Sequence, residues 1–119
     1  MKIAISSNGK ELTDMIDTRF GRARGFVIYD TESGSTEYID NRQNLDSAQG
    51  AGVQSARTVI EAGAEAVITG NVGPKAYSAL NSASVAIYLL SEGSINDAIA
   101  SYRDGKLEKA HEANVEGHW

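Results

Sequence analysis

The sequence predicts an α/β sandwich of three layers, with a mixed five-stranded sheet flanked by helices. Three observations carry this. Five short apolar runs are each bounded by glycine, asparagine or serine, and stretches of helical periodicity separate the later ones. Only the turn-forming Asp30 to Gly34 divides the second run from the third, as in an antiparallel hairpin. Beyond that hairpin, helices and strands alternate, which calls for right-handed parallel crossovers. The predicted order is β-β-β-α-β-α-β-α.

Ile3, Ala4 and Ile5 make a first buried strand, closed by the polar turn Ser6-Ser7-Asn8-Gly9. Gly25 to Tyr29 and Thr36 to Ile39 are the second and third strands. Asp46 and Gln49 have the three-residue spacing of a capping box and are expected to open the first helix. Its inward face is Val53, Ala56, Val59 and Ile60, and Gly63 is its stop. Ala64 to Thr69 is the fourth strand. Pro74 sits in the first turn of a second helix, with Ala76, Ala79 and Leu80 facing inward. Val85 to Leu90 is apolar almost throughout, as in a strand covered on both faces. Ser94 and Asp97 repeat the capping-box spacing before the stripe Ile95, Ala98, Ile99 and Tyr102, and Gly105 ends that helix. Residues 1–107 are expected to form a single α/β domain, and 108–119 a polar, flexible tail.

Composition narrows the functions open to such a domain. A formal net charge of −5 argues against nucleic-acid binding, which needs a basic field. No apolar run approaches the roughly 20 residues of a membrane helix, and the N-terminal stretch reads as a strand, so a cytoplasmic protein is expected. Without cysteine the chain can form no disulfide, thiolate nucleophile, zinc finger or cysteine-ligated iron–sulfur cluster. Ser6 and Ser7 have no histidine–carboxylate constellation near them in sequence. Asp14, Asp17, Asp30 and Asp40 are scattered, and the first strand carries no acid, which argues against two-metal nuclease chemistry. Nucleophilic catalysis and two-metal nuclease chemistry are therefore not expected.

Arg19, Arg22 and Arg24 fall within six positions, just before the second strand. Arginine offers five fixed donors and a permanent charge, which suits oxyanions; a solvated basic loop is the other reading. Ligands of open α/β sheets gather beyond the carboxyl ends of the parallel strands. Three segments should reach that rim: the loop from Ser6 to Arg24, Gln49-Gly50-Ala51-Gly52, and Gly70-Asn71-Val72-Gly73-Pro74. The last is neither a P-loop nor a dinucleotide fingerprint, and serves either as a ligand cradle or as a tight strand-to-helix turn. Gln49 is likewise a cap or a ligand contact. His111 and His118, seven apart in the tail, are weak metal-ligand candidates or incidental.

At these same places the chain resembles the dinitrogenase iron–molybdenum cofactor biosynthesis family. Arg19-Phe20-Gly21-Arg22-Ala23, Gly50-Ala51-Gly52 opening a helix, and Gly70-Asn71-Val72-Gly73 followed by Ala76 and Leu80 carry the likeness, which runs from Met1 to about Leu107. In order, spacing and length the chain is similar to stand-alone relatives of NifX, NafY and the NifB C-terminal domain. It looks most like the orange-protein branch, small carriers of a molybdenum–copper sulfide cluster. The resemblance implies a ribonuclease H-like fold and non-enzymatic binding, carrying or assembly of an anionic metal–sulfur cluster. That cluster would be a molybdenum–copper sulfide, another molybdenum or iron–sulfur cluster, or an iron–molybdenum cofactor precursor, held non-covalently. Acceptor or regulatory proteins are implied as partners; nucleic acid and membrane are not. Arg19, Gly21, Arg22, Arg24, Gln49, Gly50, Gly52, Gly70, Asn71, Val72 and Gly73 would contact it.

Many members have histidine where this chain has Arg19 and Gln49. Arginine cannot ligate a soft metal and a glutamine amide does so poorly. The expected mode is therefore outer-sphere: guanidinium and backbone N–H groups around the sulfide face of a preformed cluster. Two other readings remain at this stage, a regulatory module docking an acidic partner and a binder of small oxyanions or nucleotides.

Overall fold

Alternation along the first strand divides the core in two. In the computed structural model, which describes residues 1–42 and 50–115, Ile3 and Ile5 of β1 (Lys2–Ser7) point to one face of the sheet and Ala4 to the other. β1 lies inside the sheet order β3-β2-β1-β4-β5-β6. It pairs antiparallel with β2 (Gly25–Asp30), which turns back into β3 (Thr36–Asp40) as the expected hairpin. On its other side it pairs parallel with β4 (Ala64–Thr69), which pairs parallel with β5 (Ala86–Leu89).

Helices α1 (Ala51–Glu61) and α2 (Pro74–Ser82) cover one face, where Ala56, Val59, Ala76 and Leu80 meet Ala4, Phe26, Ile28, Val67 and Ile87. Helix α3 (Ile95–Arg103) covers the other, where Ile95 and Ala98 meet Ile3, Ile5, Val27 and Ile68. The result is the expected three layers. Ser94 does form a capping box: its Oγ accepts from the Asp97 N–H at 3.1 Å and its own N–H donates to Asp97 Oδ2 at 3.0 Å. Asp46 and Gln49 lie outside the described residues; α1 starts at Ala51, behind Gly50. Among the described residues no helix is long and apolar enough to cross a membrane.

Among the described residues the sheet has six strands, not five. Glu108–Lys109, placed by the sequence reading in the polar tail, is β6, antiparallel to β5. Ala110 behind it is buried and donates its N–H to the Ile87 carbonyl at 2.8 Å. β6 covers the edge that β5 would otherwise leave open. A strand of two charged residues shows no alternation, so period-based reading passes over it.

Candidate functional site

Because β1 and β4 are parallel, their carboxyl ends at Ser7 and Thr69 share one edge of the sheet. Isolated bridges tie the long loop after β1 to that edge, Ser7 with Ile16 and Arg19 with Asn71. Ser6 Oγ donates to the Asp17 carbonyl at 2.5 Å and shares a bond of 2.8 Å with the Thr69 hydroxyl, all three residues being buried. The Asp17 carboxylate is 4% exposed. It accepts the Arg19 N–H at 2.9 Å and lies 3.4 Å from Arg19 Nε. A buried anion thus orients an exposed guanidinium from behind.

Next comes a 3-10 turn, Phe20–Arg22, closed by the Arg22 N–H donating to the Arg19 carbonyl at 3.2 Å. Phe20 is fully buried, its ring centroid 5.4 Å from that of Phe26. With Phe20 sunk in the core, Arg19 stays exposed and Arg22 half-buried. The turn is seated on α1: Ser55 Oγ lies 3.4 Å from the Gly21 carbonyl, and Asn41 Nδ2 donates to the Ala23 carbonyl at 3.0 Å and to Ser55 Oγ at 3.1 Å. Asn41 and Ser55 are wholly buried, and nothing in their local sequence marks them as this bracket.

The Phe20 N–H donates to the Asn71 carbonyl at 3.1 Å, and Asn71 Nδ2 donates to the Thr18 carbonyl at 3.1 Å. The arginine segment and the Gly70–Gly73 turn are therefore neighbours. α1 and α2 also begin side by side, since a Cβ built on Gly52 would sit 3.1 Å from the Cβ of Ala76. Neither helix carries an acidic residue in its first turn, and neither N-cap residue, Gly50 or Gly73, has a side chain to satisfy the first amides. α3, on the far face, is fully capped. Two positive helix ends without a side-chain cap among the described residues, flanked by Arg19 and Arg22, make this edge receptive to an anion.

Several expected contacts change role. Gly70 is required by the protein itself: a Cβ there would lie 2.6 Å from Thr18 Cβ. Gly52 likewise admits α2. Val72 is fully buried in the core and its N–H donates to Asn114 Oδ1 at 2.8 Å, so neither its side chain nor its amide is open to a ligand. Arg24 parts from Arg19 and Arg22. Because residues 20–22 form a 3-10 turn, the alternation of an extended strand does not relate Arg22 to Arg24, and Arg24 instead lines a depression with Lys10, Tyr38 and Arg42. His111 lines a cavity with Tyr77, Asn81 and Ser84, toward the opposite end of α2 from Gly73. Gln49 and His118 lie outside the described residues. Among the described residues no group of three or more histidines and carboxylates stands close enough to hold a metal ion.

Asn114 is a further residue that sequence reasoning missed, after Asn41 and Ser55. Its backbone N–H donates to the Val72 carbonyl at 3.1 Å, and its side chain accepts from the Val72 N–H while Nδ2 donates to the Gly70 carbonyl at 3.1 Å. The C-terminal segment thus clamps the turn between β4 and α2. The only sequence clue is its residue type, an amide that pairs with backbone as another peptide would.

Relatives share this architecture end to end. The structure of the apo form of the orange protein from Desulfovibrio gigas is 36% identical, with a TM-score of 0.93 and 96% of each chain covered. A Thermotoga protein provisionally called NifB, solved by NMR, is 37% identical, with a TM-score of 0.86 and 98% of each chain covered. An uncharacterized protein of Methanocaldococcus jannaschii is 34% identical over 112 residues, spanning 92% of this chain and 91% of its own. The model of the dinitrogenase iron-molybdenum cofactor family matches residues 1–105, which hold every element but β6, and the chain belongs to that family.

Proposed function

We propose that the protein binds an anionic metal–sulfur cluster containing molybdenum, a molybdenum–copper sulfide, and hands it on unaltered to an acceptor protein. The observation that carries this is the pairing of two helix starts, α1 and α2, whose N-cap glycines offer no side-chain cap, with Arg19 and Arg22 on the neighbouring turn. Gly50 adds an open approach: its φ is +80° and, among the described residues, nothing lies within 4 Å of where a Cβ would be. Arg19, Gly21, Arg22, Gly50, Asn71 and Gly73 form the receptive edge in this reading. The donors there are N–H groups and guanidinium, which meet sulfide from outside instead of replacing it at the metal. The cluster is cargo on a preformed protein, and the carrier works in the cytoplasm. The antiparallel β3-β2-β1 continued by parallel β4 and β5 supports a ribonuclease H-like assignment of the fold.

The test is to mix apo-protein with tetrathiomolybdate and a copper(I) salt, remove unbound metal by gel filtration, and measure visible absorption and elemental content. A retained chromophore with molybdenum and copper is expected. Arg19→Ala and Arg22→Ala should each weaken uptake about ten- to hundredfold, the loss of one charge-assisted contact, with circular dichroism of each apo-protein checking that the fold persists; Arg19→Ala should also melt lower, since it leaves the buried Asp17 carboxylate without its guanidinium. No retained chromophore, or uptake indifferent to both substitutions, would overturn the proposal.

A further inference from the structure

The depression that takes Arg24 away from the other arginines gathers three cations, Lys10, Arg24 and Arg42. It lies where β1 ends and the β2–β3 pair begins, has a volume of about 240 Å³, and is lined by Lys10, Arg24, Tyr38, Asp40 and Arg42 beside the Asn8-Gly9 backbone. One of its three cations is already paired, Arg42 lying 2.8 Å from Asp40. Lys10 and Arg24 form no ion pair among the described residues. Three positive side chains face the Asp40 carboxylate, with Asp14 beside Gly9 as a second acid, so cations still outnumber acids at this spot on a chain whose net charge is −5.

The neutral donor is placed with equal care. A Cβ on Gly25 would lie 2.3 Å from both Cζ and Oη of Tyr38, so the absence of a side chain lets the phenol lie across the start of β2, next to Arg24. Burial, and after it the Asp40 carboxylate, pushes the Tyr38 pKa above its ordinary value, which keeps the hydroxyl protonated and able to donate.

We propose that this depression binds one tetrahedral dianion of the phosphate or molybdate kind, with Arg24 and Lys10 as its unpaired cations and Tyr38 Oη as a neutral donor. Its volume falls below the roughly 300–1,000 Å³ of sites that enclose larger ligands and suits a single small anion. Guanidinium matches two oxygens of such an anion at once. The site is separate from the receptive edge at Arg19 and Arg22, and neither depends on the other.

Titrating the full chain with inorganic phosphate, and separately with sodium molybdate, at fixed ionic strength tests this by amide and arginine side-chain NMR. Saturable shifts at Gly9, Gly25, Tyr38 and the Arg24 side chain are expected, and the tighter titration names the preferred anion. Arg24→Ala should weaken binding at least about tenfold and Tyr38→Phe, which keeps the ring over Gly25, about two- to tenfold. Arg19→Ala should leave it within about twofold. Shifts that rise linearly without saturation, an Arg24→Ala variant that binds like the parent, or an Arg19→Ala variant weakened as much as Arg24→Ala would each overturn the proposal.

Discussion

Gly50 and Gly70 occupy the same edge of the sheet and are glycine for different reasons. At Gly50 the backbone is left-handed and, among the described residues, the surroundings are open, so an alanine would meet backbone strain, about 1–2 kcal/mol. At Gly70 the obstacle is the Thr18 side chain, and overpacking of that kind costs about 1–3 kcal/mol. Chemical denaturation of Gly50→Ala and Gly70→Ala should show both losses, with only the Gly70 variant disturbing Thr18 resonances. From sequence the two residues look alike, because Thr18 lies more than fifty positions from Gly70 and no local pattern announces their contact. The arginines were legible to a similar depth. Their number and place before β2 were plain, whereas the burial of Phe20 that tightens residues 20–22 into a 3-10 turn, and so sends Arg24 elsewhere, is a tertiary event.

Elements whose cause is local could be read ahead of the structure. The α3 capping box needs only Ser94 and Asp97, and Ser94→Ala should lower stability by about 1 kcal/mol in urea melts. The β2–β3 hairpin needs only its turn, and α2 only Pro74 with its apolar stripe. β6 and the Asn114 clamp depend on surfaces presented by distant strands, and short polar segments carry no periodic signal. Asn114→Ala would leave the Val72 N–H and the Gly70 carbonyl without that side-chain partner. A loss of about 1–3 kcal/mol is expected, read as faster hydrogen exchange at the Val72 amide and a lower denaturation midpoint. If the turn supports the cluster edge as proposed, uptake should fall in the same variant although Asn114 makes no direct contact with cargo. Exchange at Val72 unchanged from the parent would show the clamp to be ornamental.

For the molecule as a whole, groups with shifted ionisation bound a window of pH stability. Asp40 is held below the usual carboxylate range first by the Arg42 side-chain hydrogen bond, and Asp30 first by the Glu32 backbone N–H. Their contribution is present above the pKa of an unfolded aspartate and fades as pH falls through the lower folded values. Burial raises Tyr38 and Tyr102 above the ordinary phenol. Their contribution is complete below the unfolded tyrosine pKa of 10.0 and is lost as pH rises through the folded values. Denaturation midpoints measured from acid to alkaline pH should therefore form a plateau with two falling limbs. Tyr102→Phe should shallow the alkaline limb and leave the acid one untouched; a steeper alkaline limb would contradict the assignment.

The clamp also orders events in time. Asn114 lies 42 residues beyond the Val72 amide it secures. At roughly 5–20 residues per second of synthesis, the turn at the cluster edge precedes its fastener by roughly 2–8 s. A nascent chain thus presents its arginines and helix starts early but finishes the wall behind them late. The turn at the cluster edge is therefore secured only once the C-terminal segment has folded back over it.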